Sequence, residues 1–221
     1  MAKKKVTTYT WDMFFKRLQE NIFRPKRQTK DILFRLVFGN DRQALLQLYN
    51  VLHGTAYTNP HELQIVTLDN AIYISRKNDL AFLLAGSINM YEHQSTLNPN
   101  MPVRFLIYLA QEYQLLVEST DKSLYGSEMI PLPTPQCVVF YNGTADTPDE
   151  YELRLSSAFS NQDVEPAVEV VVKVININYG HNEYLMQGCG MLSQYAQFVA
   201  ATREYANKYD NREEAMNAAI E

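Results

Sequence analysis

Cysteine is almost missing: 221 residues carry only Cys137 and Cys189, with no Cys-x-x-Cys pair and no Cys/His ligand spacing. That rules out a disulfide framework and a thiolate metal site, and both residues read as buried, reduced thiols. No window of 18 or more uninterrupted apolar residues occurs, so no membrane-spanning helix is expected. The first residues, MAKKKVTTYTWDMFF, start basic but lack the apolar run and small-residue cleavage site of a secretory leader, which points to the cytoplasm. Internal repeats and low-complexity segments are also lacking. With 46% hydrophobic and 20% charged residues, the composition is that of a folded globular chain rather than a disordered one.

The charge is distributed unevenly. Residues 1–42 hold eleven of the twenty Lys and Arg against four acidic residues, a balance of +7, which leaves −12 for the rest. A basic arm on an acidic body can meet a phosphate backbone through the arm alone, or can be a solvated leader. Periodicity predicts a helix over residues 10–23, ended by Arg24-Pro25-Lys26-Arg27. A second helix is capped by Thr29 and stopped by Gly39-Asn40, and a third runs from Asp41 to Gly54. From Glu62 the character changes. Residues 63–68, 79–84 and 88–94 read as strands, the last two a hairpin through Ala85-Gly86-Ser87. Residues 101–118 form a long helix, 136–141 a strand, and 146–150 a polar, acidic loop. Residues 168–177 are an apolar, β-branched strand expected inside the sheet. Residues 182–208 read as one helix, and another starts near Asn211 and is still running at Glu221, as in a chain shorter than its natural length. The expected class is α/β: a mixed central sheet flanked by helices, with extra helices at both ends.

Glu92 and Gln94 stand two apart on one strand and so share a face, with His93 on the other. Asp79 opens the partner strand of the same hairpin. A charged pair interrupting an apolar strand is costly to bury unless it has a partner, and two carboxylates at one edge repel unless a cation sits between them. An all-oxygen set suits a hard ion such as magnesium or manganese. Solvated or hydrogen-bonded edge residues would show the same spacing.

The residues around this pair carry a resemblance. Asn78-Asp79-Leu80-Ala81-Phe82, Tyr91-Glu92-His93-Gln94-Ser95 and Asn100-Met101-Pro102-Val103-Arg104-Phe105 with Tyr108 resemble the signature of the Rpn family, the recombination-promoting nucleases also described as transposases, of the PD-(D/E)XK superfamily. Residues 31–39, Pro133 to Gly143, and the Cys189, Leu192, Tyr195 pattern add to the likeness, which runs from about residue 29 to the C-terminus. The resemblance implies a PD-(D/E)XK restriction-endonuclease-like core over residues 29–180, a basic arm and helix before it (1–28) and a helical extension after it (181–221). It implies hydrolysis of DNA phosphodiesters with Mg2+, for which Mn2+ can substitute, in recombination, mobile-element or defence processes. Asp79 and Glu92 become metal ligands with the backbone carbonyl of His93, and Gln94 stands where the superfamily has its lysine. Glutamine brings no positive charge and can only orient water or a phosphate oxygen. Asp31 falls where many of these nucleases place a further acidic residue, although a helix-terminal charge beside Thr29 explains it as well.

Lys26, Arg27, Lys30 and Arg104 are candidate DNA contacts, Arg104 with the alternative of pairing with a sheet carboxylate. DNA is the expected partner, with a homodimer or heteromer through the C-terminal helices. The competing reading is a catalytically inactive DNA-binding or partner-binding accessory of a related nuclease.

Overall fold

The computed structural model describes residues 29–66, 79–206 and 208, with side chains described from Phe34 onward. The helix expected over 10–23, part of the strand expected over 63–68 and the final helix from Asn211 lie outside the described residues. In chain order the elements are helices α1 (Thr29–Asn40) and α2 (Arg42–His53), then strands β1 (Gln64–Ile65), β2 (Leu80–Leu84) and β3 (Ser87–Gln94). Helix α3 (Met101–Glu118) leads to β4 (Thr134–Tyr141), β5 (Glu150–Arg154) and β6 (Val171–Asn176), and α4 (Glu183–Gly188) and α5 (Gly190–Ala206) follow. The chain divides into two compact units, residues 1–60 with 178–221, and residues 61–177.

In the first unit, Asp41 separates α1 from α2. Its carboxylate accepts hydrogen bonds from the amides of Gln43 (2.9 Å) and Ala44 (3.0 Å), satisfying donors that a helix start leaves open. Gly54, at φ 62°, closes α2 in the left-handed conformation that glycine adopts without strain. Phe34, Val37 and Phe38 of α1, Leu45 and Leu48 of α2, and Leu192, Tyr195 and Val199 of α5 are buried, with Tyr195 edge-on to Phe34 at 6.1 Å. The single helix expected over 182–208 is two: Cys189 takes an extended conformation (φ −130°, ψ 92°) between Gly188 and Gly190 and divides it.

The second unit is a mixed, open, six-stranded sheet in the order β1-β2-β3-β4-β6-β5. β1, β2 and β3 are antiparallel, β3, β4 and β6 run parallel, and β5 returns antiparallel along β6. The β2–β3 hairpin turns through Ala85 (φ 49°) and Gly86 (φ 76°), the double left-handed turn that matches strand twist. β6 lies inside the sheet, between β4 and β5, as its apolar sequence predicts. β5 was not anticipated: it starts at Glu150, where the expected polar loop ends, and pairs residue for residue with β6 from Glu150↔Ile175 to Arg154↔Val171.

Parallel neighbours need a crossover, and α3 provides it between β3 and β4. Asn98 starts the helix by accepting the Asn100 amide on its side chain (3.0 Å), and Pro102 fits the first turn, where its missing N–H costs nothing. Met101, Phe105 and Tyr108 then pack with Ile88 and Met90 of β3, Cys137 and Val139 of β4, and Val172 and Val174 of β6. Both cysteines are buried and free. Burial pushes the Cys137 thiol up to about 12 and that of Cys189 to about 11, so neither is a nucleophile at neutral pH.

At the end of β4, Tyr141 folds its phenol over the following turn, where the hydroxyl accepts from the Ala145 amide at 3.0 Å. A Cβ on Gly143 would fall on that phenol, well inside van der Waals contact. Gly143→Ala is therefore expected to cost about 2 kcal/mol of unfolding free energy by overpacking. Urea denaturation would check this, and in a Tyr141→Leu background the Gly143→Ala step should cost much less.

Candidate functional site

The hairpin places two of the expected residues opposite each other. Leu80 pairs with Tyr91, so carrying the antiparallel register one residue outward sets Asp79 across from Glu92. Opposed residues project from the same face of a sheet, and like charges so placed destabilise the pair unless something offsets them. Two arrangements do so. Asp79 turns one carboxylate oxygen, Oδ2, to the backbone amide of His93 at 2.8 Å. Glu92, only 2% exposed, receives a guanidinium: Arg104 Nη2 lies 3.0 Å from its Oε2.

Arg104 owes this position to the start of α3. Pro102 and the buried Met101 anchor the first turn, and Arg104 follows on the side facing the end of β3. Its guanidinium donates from Nε and Nη2 to the Tyr108 hydroxyl (3.3 and 3.2 Å) and lies 5.8 Å from the centre of that ring. Arg104 and Tyr108, four residues apart, form one unit on the helix surface. Burial acts to lower the Arg104 pKa. The Glu92 carboxylate, the Tyr108 hydroxyl and the Asp79 charge outweigh it and hold the guanidinium above its ordinary value. Tyr108 is raised, first by burial, with the charges of Glu92 and Asp79 adding and Arg104 opposing. Asp79, Glu92, Arg104 and Tyr108 thus share one electrostatic neighbourhood.

Gln94, on the same face as Glu92, donates its amide from Nε2 to Glu92 Oε2 at 3.3 Å. His93 is buried on the opposite face with Tyr91, whose ring meets Phe82 and Phe140 edge-on at 5.1 and 5.3 Å. Its side chain therefore points away from the carboxylates, as strand alternation predicts, and only its backbone belongs to the site.

The other candidates divide. Asp31 and Lys30 lie in the first turn of α1, in the other unit, with side chains outside the described residues. Lys26 and Arg27 are themselves outside the described residues. Arg104, given two possible partners by the sequence, is on the carboxylate. Tyr108 belongs to the family-like segment and carries no role from the sequence alone. Its signal was the four-residue step from Arg104, which only the helix rotation could turn into a contact.

Among the described residues no three His, Cys, Asp or Glu side chains gather as a metal cluster, and a set of two carboxylates and one main-chain carbonyl does not require one. The donor chemistry fits a hard divalent cation: anionic oxygens on one face, with Glu92 already set against positive charge. No family model, curated protein or solved structure matches the chain.

Proposed function

We propose that the hairpin edge bearing Asp79, Glu92 and Gln94 is the active site of a Mg2+- or Mn2+-dependent DNA endonuclease, of the Rpn type within the PD-(D/E)XK superfamily. The observation that carries this reading is the gathering of Asp79, on the His93 amide, and Glu92 at one end of the hairpin, where both charges act on the Arg104 guanidinium beside a glutamine amide. The run of antiparallel β1-β2-β3, crossover helix α3 and parallel β4 supports it, because a nuclease core of this kind presents its carboxylates on such a hairpin.

Asp79, Glu92 and the His93 carbonyl would hold the cation. Bound there, the ion supplies an activated nucleophile and neutralises charge developing on the phosphate. The chain's own groups do the rest. Burial of Glu92 keeps the carboxylate in a fixed rotamer. The Asp79–His93 amide bond ties the two strand ends together. The Gln94 amide can orient a phosphate oxygen or the attacking water, and Arg104 contributes the positive charge that a lysine at position 94 would have brought.

In the test, supercoiled plasmid is incubated with the protein and Mg2+ or Mn2+. Nicking that a chelator stops is expected. Absence of cleavage with every divalent ion, on duplex and single-stranded DNA alike, would overturn the reading. One feature favours a second reading: Glu92 is already engaged by Arg104 and Gln94, as in a site that binds DNA without cutting it. Retention of DNA in a mobility-shift assay without metal-dependent nicking would select that accessory role.

A further inference from the structure

Glu92 Oε2 is the acceptor of both the Arg104 guanidinium and the Gln94 amide, and a divalent cation would draw on the same carboxylate charge. A buried carboxylate needs a positive partner, and here the chain supplies one from a neighbouring element. Arg104 is not walled in. Its side chain is 21% exposed, its remaining bonds run to a neutral phenol and to the Met101 thioether (3.2 Å from Nη1), and a long flexible stem carries it. A guanidinium held by one charged partner and open to solvent can exchange that partner for a phosphate, which it binds equally well as a fork.

Resting on the nuclease reading, we infer that Arg104 is a substrate-released latch: it contends with the divalent cation for Glu92, and an arriving phosphodiester draws it off. Metal and nucleic acid then bind with positive coupling, since each favours the state in which Arg104 has left the carboxylate. The free protein keeps its carboxylates neutralised and holds the cation weakly. The DNA-bound protein has Glu92 available, and Arg104 stands at the phosphate. Asp79, whose charge also acts on Arg104, retains its His93 amide bond in both states.

The test reads metal binding rather than cleavage. Free Mn2+ is counted by electron paramagnetic resonance during titration of the wild type, Arg104→Met and Arg104→Lys, with and without a phosphorothioate DNA duplex. Methionine keeps the stem packing beside Tyr108 without the charge, and lysine keeps the charge. Without DNA, R104M is expected to bind Mn2+ about tenfold or more tightly than the wild type, a coupling of ordinary size, while R104K stays close to the wild type. Adding Glu92→Gln to R104M should abolish the gain. The duplex should tighten Mn2+ in the wild type and leave R104M unchanged.

Equal Mn2+ affinity in wild type and R104M would overturn the latch while leaving the metal site standing. DNA that tightens Mn2+ equally in both would do the same, by assigning the coupling to another group. Mn2+ binding to none of the proteins, with or without DNA, would remove the nuclease reading and the latch together. If R104M does not fold, R104K decides: a lysine has one point of charge instead of a fork, so an Mn2+ affinity unchanged or tightened, with DNA coupling kept, supports the latch, and a loosened affinity or lost coupling overturns it.

Discussion

Glu92→Gln is expected to lower metal-dependent DNA cleavage on the order of a thousandfold while leaving the protein folded. The glutamine side chain has nearly the same shape and can still accept from Arg104 Nη2 through its carbonyl, so the packing beneath α3 is kept. What disappears is the negative charge, and with it the attraction for a cation and one hard donor. The stability cost should stay near 1 kcal/mol, because Arg104 reaches solvent and is not left as a buried, unbalanced charge. Asp79→Asn should behave alike for cleavage and cost as little, since asparagine retains an oxygen for the His93 amide. Initial rates of plasmid nicking, set beside thermal melting of each variant, check both halves. A variant that melts like the wild type and cuts at full rate would remove its residue from the site.

The second large effect lies outside the site. Glu112 is the next buried residue after Tyr108 on the face of α3 turned to the sheet, 2% exposed, and its Oε1 has no hydrogen-bond partner among the described residues. Burial pushes its carboxyl up to about 7 from an ordinary 4.5. Between those values the folded chain keeps a proton that the unfolded chain releases, so stability falls as pH rises. The contribution is fully present below about pH 4.5, is lost through about pH 7, and amounts to about 3 kcal/mol. Glu112→Gln is permanently neutral. It should be close to the wild type at pH 5 and more stable than it at pH 8. Urea unfolding of both proteins at the two pH values measures the difference, and titrations elsewhere cancel between them. Equal pH dependence in the two proteins would show that Glu112 is ionised and solvated in the fold.

Much of this was legible in the chain. Asp41 and Gly54 carry their cap chemistry in their side chains, and the α3 boundaries at Met101 and Glu118 follow from Pro102 and an unbroken helical period. The Asp79, Glu92 and Gln94 grouping follows from period two and a short turn. β5 was hidden by its place at the sheet edge. Glu150, Glu152 and Arg154 alternate with Tyr151 and Leu153, but a short charged strand just after an acidic loop gives too weak an alternation to stand out. The break at Cys189 carries a signal in its flanking glycines, which helical periodicity on either side outweighed. The Arg104–Glu92 pair could be named as one of two options and no more, because sequence does not set the rotation of a helix against a sheet. Glu112 escaped notice because a glutamate in a helix is ordinary until its face is known.

Asp79, Glu92, Gln94, Arg104 and Tyr108 all come from one continuous stretch of chain, and the bonds joining them span two to fourteen residues. Closing short loops costs little chain entropy, and that cost grows only slowly with length. The pairing of β4 with β6, by contrast, joins Val138 to Lys173 across a much longer interval. The groups around Glu92 can therefore meet on the time scale of hairpin and helix formation, before the far side of the sheet has been laid down. During synthesis that stretch can gather once α3 has emerged, with the remaining strands still to come.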